Sequence, residues 1–225
     1  MIRHSRRFIF LGLVLAVTST VGAQDPSKRT ESSEVRLFNG KNLDGWTHVL
    51  SDDSVKPDQV WSVEDGVLIC KGKPAGYLRT KDDFENYVLT LEWRWKPSTK
   101  GGNSGVLVHT STPDQIGVWP KSLEVQLAAN NAGDFWVIGE TITIDNPEGR
   151  IKGRRHLNLT DDSEEPVGEW NQIEITCKGN DVIVKVNGEL VNEAKDCSVS
   201  KGAICLQSEG AEVHFQNVLL RKLEQ

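Results

Sequence analysis

Tyr87-Val88-Leu89-Thr90-Leu91-Glu92-Trp93-Arg94-Trp95-Lys96 alternates apolar and polar residues from Val88 onward almost without a break. Successive side chains of an extended chain point to opposite faces, so Leu89, Leu91, Trp93 and Trp95 share one face while Thr90, Glu92 and Arg94 share the other. That separation is the mark of a strand with one buried and one polar side. The same rule, applied further along, separates Leu123, Val125 and Leu127 from Glu124 and Gln126, and Ile204 and Leu206 from Cys205, Gln207 and Glu209. Trp61 and Val63 lead into Glu64-Asp65-Gly66 and return through Val67 to Ile69; Val182, Val184 and Val186 lead into Asn187-Gly188 and return through Leu190 and Val191. Asp-Gly and Asn-Gly supply the positive φ angles that tight hairpins need. No segment shows a helical period, and many short strands separated by turn residues predict an all-β sandwich or barrel.

The ends and the charge bound the function. Arg3, Arg6 and Arg7, the apolar run Phe8 to Val17 and the small residues Val21-Gly22-Ala23 read as a signal peptide, residues 1–23. Spanning a bilayer takes roughly 20 apolar residues, and Thr18, Ser19 and Thr20 interrupt this run well short of that. The expected mature protein is exported, periplasmic or extracellular, with no membrane span after cleavage. Residues 24–34 are polar and read as a flexible tether, and residues 35–223 as one domain. The formal charge of −6 loses three arginines with the leader and becomes −9. The only basic cluster is Arg150, Lys152, Arg154, Arg155 and His156. Nucleic acid is therefore not an expected partner; the cluster is either a solvated hairpin edge or a source of one group for a cleft. Cys70, Cys177, Cys197 and Cys205 lack a metal-binding pattern. Cys177 falls in phase with Ile173 and Ile175 as a small buried residue, while an exported chain could pair Cys197 with Cys205.

Three strands place acid, amide or guanidinium groups on the face away from the core, and this predicts one shared polar surface if those strands are neighbours. Arg94, Gln126 and Gln207 would line it, with Asn103 in the Gly-rich stretch Gly101-Gly102-Asn103-Ser104-Gly105. Sugars offer C–H faces to aromatic rings and hydroxyl rims to amides and carboxylates. Trp119 and Trp136, beside Pro120 and Gly133-Asp134, could stack on such a ligand or simply pack as large apolar residues. The titratable candidates are Glu124, His109, His156 and Glu209. His109 shares the strand phase of Leu107, which favours a buried, satisfied histidine over a catalytic one.

Leu37-Phe38-Asn39-Gly40-Lys41-Asn42-Leu43-Asp44-Gly45-Trp46, Asn103-Ser104-Gly105, Glu124-Val125-Gln126, Gly168-Glu169-Trp170-Asn171, Val186-Asn187-Gly188 and Leu206-Gln207-Ser208-Glu209-Gly210 follow one another in an order and spacing that resembles the 3-keto-disaccharide hydrolase, or 3-keto-glucoside 1,2-lyase, family. The resemblance runs from Val35 to Leu223. It implies a concanavalin A-like jelly roll of two antiparallel sheets. It further implies cleavage of glycosides already oxidised at C3 by 1,2-elimination, with hydration of the 2-hydroxyglucal product in some members. Glu209 stands where a His is common in the family, and Gln216 where an Arg precedes the Asn of the last strand. The substrate would be an oxidised (3-keto) glycoside or another saccharide, made by an upstream sugar oxidoreductase. A divalent metal ion is an open cofactor question, with no His-x-His or Glu-x-x-His spacing to hold it. Conventional glycoside hydrolysis and non-catalytic carbohydrate binding are the alternatives on the same fold.

Overall fold

The computed structural model describes residues 34–160 and 162–224. The expected leader and all of the expected tether except Glu34 lie outside the described residues. The first strands are β1 (Glu34–Arg36), β2 (Trp46–Leu50), β3 (Trp61–Glu64), β4 (Val67–Cys70), β5 (Gly76–Thr80), β6 (Tyr87–Trp95), β7 (Gly105–Thr110) and β8 (Ser122–Gln126). Then come β9 (Phe135–Ile138), β10 (Ile151–Lys152), β11 (Arg155–His156), β12 (Asn171–Lys178), β13 (Asp181–Val186), β14 (Glu189–Ala194), β15 (Ala203–Ser208) and β16 (Val213–Lys222). One 3-10 turn, Pro57–Gln59, is the only helical element among the described residues.

Two eight-stranded antiparallel sheets form a jelly-roll sandwich. One runs β14-β13-β12-β6-β16-β4-β3 with β1 also pairing β16; the other runs β10-β11-β9-β8-β7-β15-β5-β2. The alternation quoted at the outset sets the first sheet's inner face: Leu89 faces Ile175 and Leu91 faces Ile173 across β6 and β12. Both pairs belong to one buried core shared with Val106, Leu123, Val125 and Leu206 of the second sheet. Truncating such a residue to Ala costs about 2–5 kcal/mol, because the methyl groups are lost and the cavity does not fully collapse. The two hairpins expected between β3 and β4 and between β13 and β14 turn through positive φ at Asp65, Gly66, Asn187 and Gly188. Asn187 also holds its surroundings: its Oδ1 accepts from Gln172 N–H, and its Nδ2 donates to Ser163 O and Asn171 Oδ1.

Two expectations are corrected by the fold. All four cysteines are buried and free. Cys197 lies in the main core, whereas Cys205 faces outward from the second sheet into a small cluster with Tyr77, Leu107 and Ile138, so the sheet separates the pair that an exported chain could have bridged. Arg94 and Glu124 also stand apart: β6 and β8 belong to different sheets, and each side chain leaves its sheet on the side away from the core. With two packed sheets about 10 Å apart, residues on opposite outer faces cannot share a cleft.

Candidate functional site

The outer face of the second sheet is closed at one end and polar at the other. At the closed end, Tyr77, Leu107, Ile138 and Cys205 are covered by Val49, Val118 and Trp119. Trp119 therefore packs as an apolar lid over that cluster, in the loop between β7 and β8.

At the polar end the site is built around an absent side chain. Gly105, the first residue of β7, lies between Glu124 of β8 and Gln207 of β15; a Cβ there would stand 2.9 Å from both Glu124 Oε1 and Gln207 Oε1. Glycine in a strand marks close approach of other groups, and here it allows a carboxyl and an amide to converge. Gln207 is fully buried, and neither its Nε2 nor its Oε1 makes a hydrogen bond of good geometry. Trp136 stands opposite Glu124 across β8 and β9, with its buried Nε1 also unpartnered. The Arg154 guanidinium lies over the Trp136 ring, 5.5 Å from its centroid. Asn103 bridges through its backbone to Glu209 and Gly210, just beyond β15, and its Oδ1 is buried without a partner. The Ser104 hydroxyl ties the same stretch to the Gln207 carbonyl at 3.0 Å. Gln126 shares this face, but its Oε1 accepts from the Leu127 and Ala128 N–H groups, both at 2.9 Å, and so fixes the turn after β8. Asn103, Gln126, Asn131, Trp136 and Arg155 line a cavity of about 160 Å³ beside it. A larger hollow, about 720 Å³, lies elsewhere between Asp82–Asn86 and Lys201, Lys222 and Leu223; it contains no buried unpartnered polar group.

Burial pushes the Glu124 carboxyl up to about 8, and the charge of Glu209 adds to that; Gln207 and Arg154 pull the other way. Burial raises Glu209 as well. Glu124, Glu209, Gln207, Asn103 and Trp136 therefore form one constellation, with buried donors and acceptors left open and a carboxyl that holds its proton at neutral pH. A strongly shifted acid and unpaired buried polar groups gathered on one polar face are the physical signs of a functional site.

Besides Trp119, the structure places three expected site residues elsewhere. Arg94 lies on the other sheet's outer face, its guanidinium 4.5 Å from the Trp170 ring centroid. His156 pairs with Phe135 across β11 and β9 and so takes the phase opposite to Trp136; its ring is buried away from Glu124's face, and burial lowers its affinity for a proton. His109 does not keep the phase of Leu107. β15 pairs Cys205 with Leu107 and then Ala203 with Thr110, so β7 carries one extra residue, a bulge, with His109 at φ +57°. The bulge turns His109 inward to the Glu140 carboxylate, 3.8 Å away, with both side chains fully buried. Glu140 is itself raised by burial and drawn back by His109, and its charge reaches the core groups Tyr87 and Cys177.

Sequence reading missed Gly105 and Arg154 as individual site residues. A glycine opening an otherwise apolar strand was the available signal for the first; a basic hairpin beside a tryptophan strand was the signal for the second.

The family model for 3-keto-alpha-glucoside-1,2-lyase-like domains matches residues 33–221. The chain belongs to this family. Two solved structures from Parabacteroides distasonis, both provisionally described as glycosyl hydrolases, resemble this 3-keto-glucoside-lyase-like domain. One is 22% identical with a TM-score of 0.63, covering 86% of this chain and 95% of that one. The other is 26% identical with a TM-score of 0.61, covering 85% and 100%. A carbohydrate-binding module, CBM66 from Bacillus subtilis, shares the fold at 13% identity and a TM-score of 0.58, over 79% of this chain and 96% of that one. Among curated proteins none matches. Membership supports a carbohydrate-active function for the lyase-like domain.

The described residues gather no cluster of anionic or imidazole ligands for a metal ion, no three or more His, Cys, Asp or Glu side chains being placed to hold one. The open groups beside Glu124 and Glu209 are amides and an indole N–H, not further anionic ligands.

Proposed function

We propose that the protein cleaves 3-keto-glycosides by 1,2-elimination on the Glu124 face, with Glu124 as the proton donor and Glu209 as the base. The observation that carries this reading is the Glu124 carboxyl packed against Gln207 over Gly105 and held up to about 8. At neutral pH it is a protonated acid, while Glu209, raised by burial alone, is the readier of the two to ionise. Two carboxyl groups with separated proton affinities are what an acid–base pair requires.

A ketone at C3 acidifies the C2–H bond. Glu209 takes that proton, and the bond's electron pair becomes an enolate over C2, C3 and the ketone oxygen. The Gln207 N–H and the Arg154 guanidinium are the donors suited to that oxyanion. Collapse of the enolate restores the ketone, forms the C1–C2 double bond and expels the C1 oxygen, which receives the proton of Glu124. Water added to the product would complete a net hydrolysis. Trp136 offers a ring on which the sugar can stack once Arg154 moves aside. We further propose that the working protein is exported and starts near Gln24; the intact mass of secreted protein checks this, and retention of residues 1–23 would refute it.

The presence of both Glu124 and Glu209 on one face also favours a second reading, direct hydrolysis of unoxidised glycosides by a carboxyl pair. Incubation with a 3-keto-glucoside and with its unoxidised parent separates the two. Release of aglycone from the keto form alone, with an enone product absorbing in the ultraviolet, supports elimination. Release from both supports hydrolysis, and binding without release from either defeats both.

A further inference from the structure

Residues directly opposite each other on paired strands share a face, so the registers trace one row across the outer face of the second sheet. Glu124 stands opposite Trp136, Trp136 opposite Arg155, and Arg155 opposite Lys152. At about 4.8 Å per strand, Arg155 lies two strands from Glu124, roughly 10 Å along this row, and Lys152 one strand further. Gly105 and Gln207 lie on the other side of Glu124, on β7 and β15, and Glu209 directly follows β15. Glu124 thus stands between Glu209 and the basic end of the row. A glycoside whose C2–H meets Glu209 and whose C1 oxygen meets Glu124 extends its leaving unit past Trp136, toward Arg155.

A hollow of about 460 Å³ opens at that end. Arg155 and Asn131 belong both to its wall and to that of the small cavity beside Trp136, and a hydrogen bond from Arg155 Nη2 to Asn131 Oδ1 joins them. Asp134 holds Arg155 in place: Nε donates to Asp134 Oδ2 at 2.6 Å, while Asp134 Oδ1 accepts from Asn158 N–H at 2.6 Å. The Arg155 side chain remains 32% exposed, and its Nη1 makes no hydrogen bond among the described residues. The charge here is unbalanced. Asp134 is engaged by Arg155, and Asp145 by Lys195 at 2.7 Å. Arg150, on the hollow's wall, donates only to neutral oxygens, those of Leu157, of the Asp145 backbone and of the Asn192 amide. Lys152 and Arg154 are exposed and make no ion pair among the described residues. Cations without a carboxylate partner therefore gather at one end of the Glu124 row, in a chain whose formal charge is −6.

We propose that this end of the row receives the leaving unit, and that Arg155 and Lys152 make it selective for an acidic one, a unit that carries a carboxylate. The proposal rests on the roles given to Glu124 and Glu209. A carboxylate can accept from Arg155 Nη1 and from Lys152 Nζ, and hydrogen bonds between charged groups are shorter and stronger than neutral ones. A neutral hydroxyl would find the same donors but would not answer the surplus charge. A purely apolar unit would take water from the cations and return no hydrogen bond to them. Asp134 keeps the Arg155 guanidinium from turning away, so the donor is already placed when the ligand arrives.

The 3-keto-glucosides of 4-hydroxybenzoate and 4-hydroxybenzamide, alike in shape and different by one charge, test it. The readout is the ratio of kcat/KM for the carboxylate over the amide. The two leaving groups differ in reactivity by the same factor in every variant, so a change in the ratio reports the subsite. Lys152→Ala should lower the ratio about threefold and Lys152→Glu about tenfold, and raising sodium chloride from about 20 mM to about 0.5 M should lower the parent's ratio by screening. Arg155→Met should lower it at least as far as Lys152→Ala. It also leaves the buried Asp134 without its cation, so the exposed Lys152 carries the test if that variant does not fold. A ratio indifferent to Lys152→Glu or to salt overturns the proposal and leaves elimination standing. Failure of the parent to turn over either compound defeats the reading of the Glu124 face, and calorimetric titration with the two unoxidised glucosides then decides the subsite by itself. Tighter binding of the carboxylate that Lys152→Glu weakens sustains it; equal binding of the two, or none, overturns it.

Discussion

The two outer faces of the sandwich are both rich in charge, yet they are built on opposite principles. On the outer face of the β6 sheet the charged groups are answered. Arg94 lies over Trp170 and its Nε donates to His214 Nδ1 at 3.4 Å. His214 meets Glu212 at 3.1 Å, Lys96 and Lys71 reach the same carboxylate, Gln216 Nε2 donates to Glu92, and Lys185 pairs with Glu174. Burial would raise Glu212, but His214 and the two lysines hold it below its usual range. On the β8 sheet Gln207, Asn103 and Trp136 carry buried polar atoms with no partner, and Glu124 is held up to about 8. A satisfied network is a solvated surface. An unsatisfied one has its cost built into the fold and recovers it only when a ligand arrives.

The sharpest way to break this contrast is to make the same substitution on each face. Glu124→Gln keeps volume and removes the titrating proton; turnover of a 3-keto-glucoside should fall about 10²- to 10⁴-fold, the usual contribution of a general acid. Glu92→Gln on the other face should leave kcat and KM at parent values. Equal loss in both variants would sink the assignment of the site to the β8 sheet.

Gly105→Ala probes the convergence itself. The added Cβ would meet Glu124 and Gln207 at 2.9 Å, so one side chain must shift. Overpacking of this kind costs about 1–3 kcal/mol, and displacement of a reacting group by about 1 Å costs about 10²-fold in rate. Thermal melting and steady-state kinetics should both register the change, and a variant with parental kinetics would show that the closeness of the two side chains is irrelevant to turnover.

Protonation supplies a third test. The folded protein holds the Glu124 carboxyl above its ordinary value of 4.5, so the folded state binds the proton more tightly than the unfolded chain. The stability tied to this proton is complete below about 4.5 and is lost as the pH rises toward about 8. Glu124→Gln has no such proton to lose. Its melting temperature should gain on the parent's by a margin that grows from pH 5 to pH 8, corresponding to about 3–4 kcal/mol over that range. Glu164 and Glu140 are raised in both proteins and drop out of the difference, whereas Glu209 is coupled to Glu124 by charge and its share is part of what the comparison reads. A constant margin would show that Glu124 is solvated and ordinary.

How much of this could be read from the sequence follows from what alternation encodes. A period of two states which residues of one strand share a face, and it correctly placed Trp93 with Leu91 and Gln207 with Glu209. It also exposed both hairpins, because Asp65-Gly66 and Asn187-Gly188 need local backbone angles that only a few residues adopt readily. Alternation carries no information about which sheet receives a strand. That depends on crossovers, and β6 went to one sheet while β7, β8 and β15 went to the other, which removed Arg94 from the site. It also fails across a bulge. His109 adopts a positive φ with no glycine to announce it, and one extra residue reversed its direction from the outer face to the core. His156 failed for a related reason: a two-residue strand is too short to show a phase, and only its pairing with Phe135 reveals where it points.

The smallest expected effect is the most discriminating check on the satisfied face. Arg94→Ala removes a guanidinium that lies over Trp170 and bonds His214. Both contacts are partly exposed, and a cation–π contact at such a site is worth about 0.5–1 kcal/mol. The neighbouring charges remain compensated, because His214 keeps Glu212 and Glu212 keeps Lys96. Melting should therefore shift by no more than about that amount. Effects at sites on opposite sides of a packed core are close to independent, so kcat/KM for a 3-keto-glucoside should stay within about twofold of the parent. A loss of tenfold or more, with melting unchanged, would mean that the β6 sheet's outer face takes part in substrate capture and that unsatisfied polar atoms are not what distinguishes the working face from the idle one.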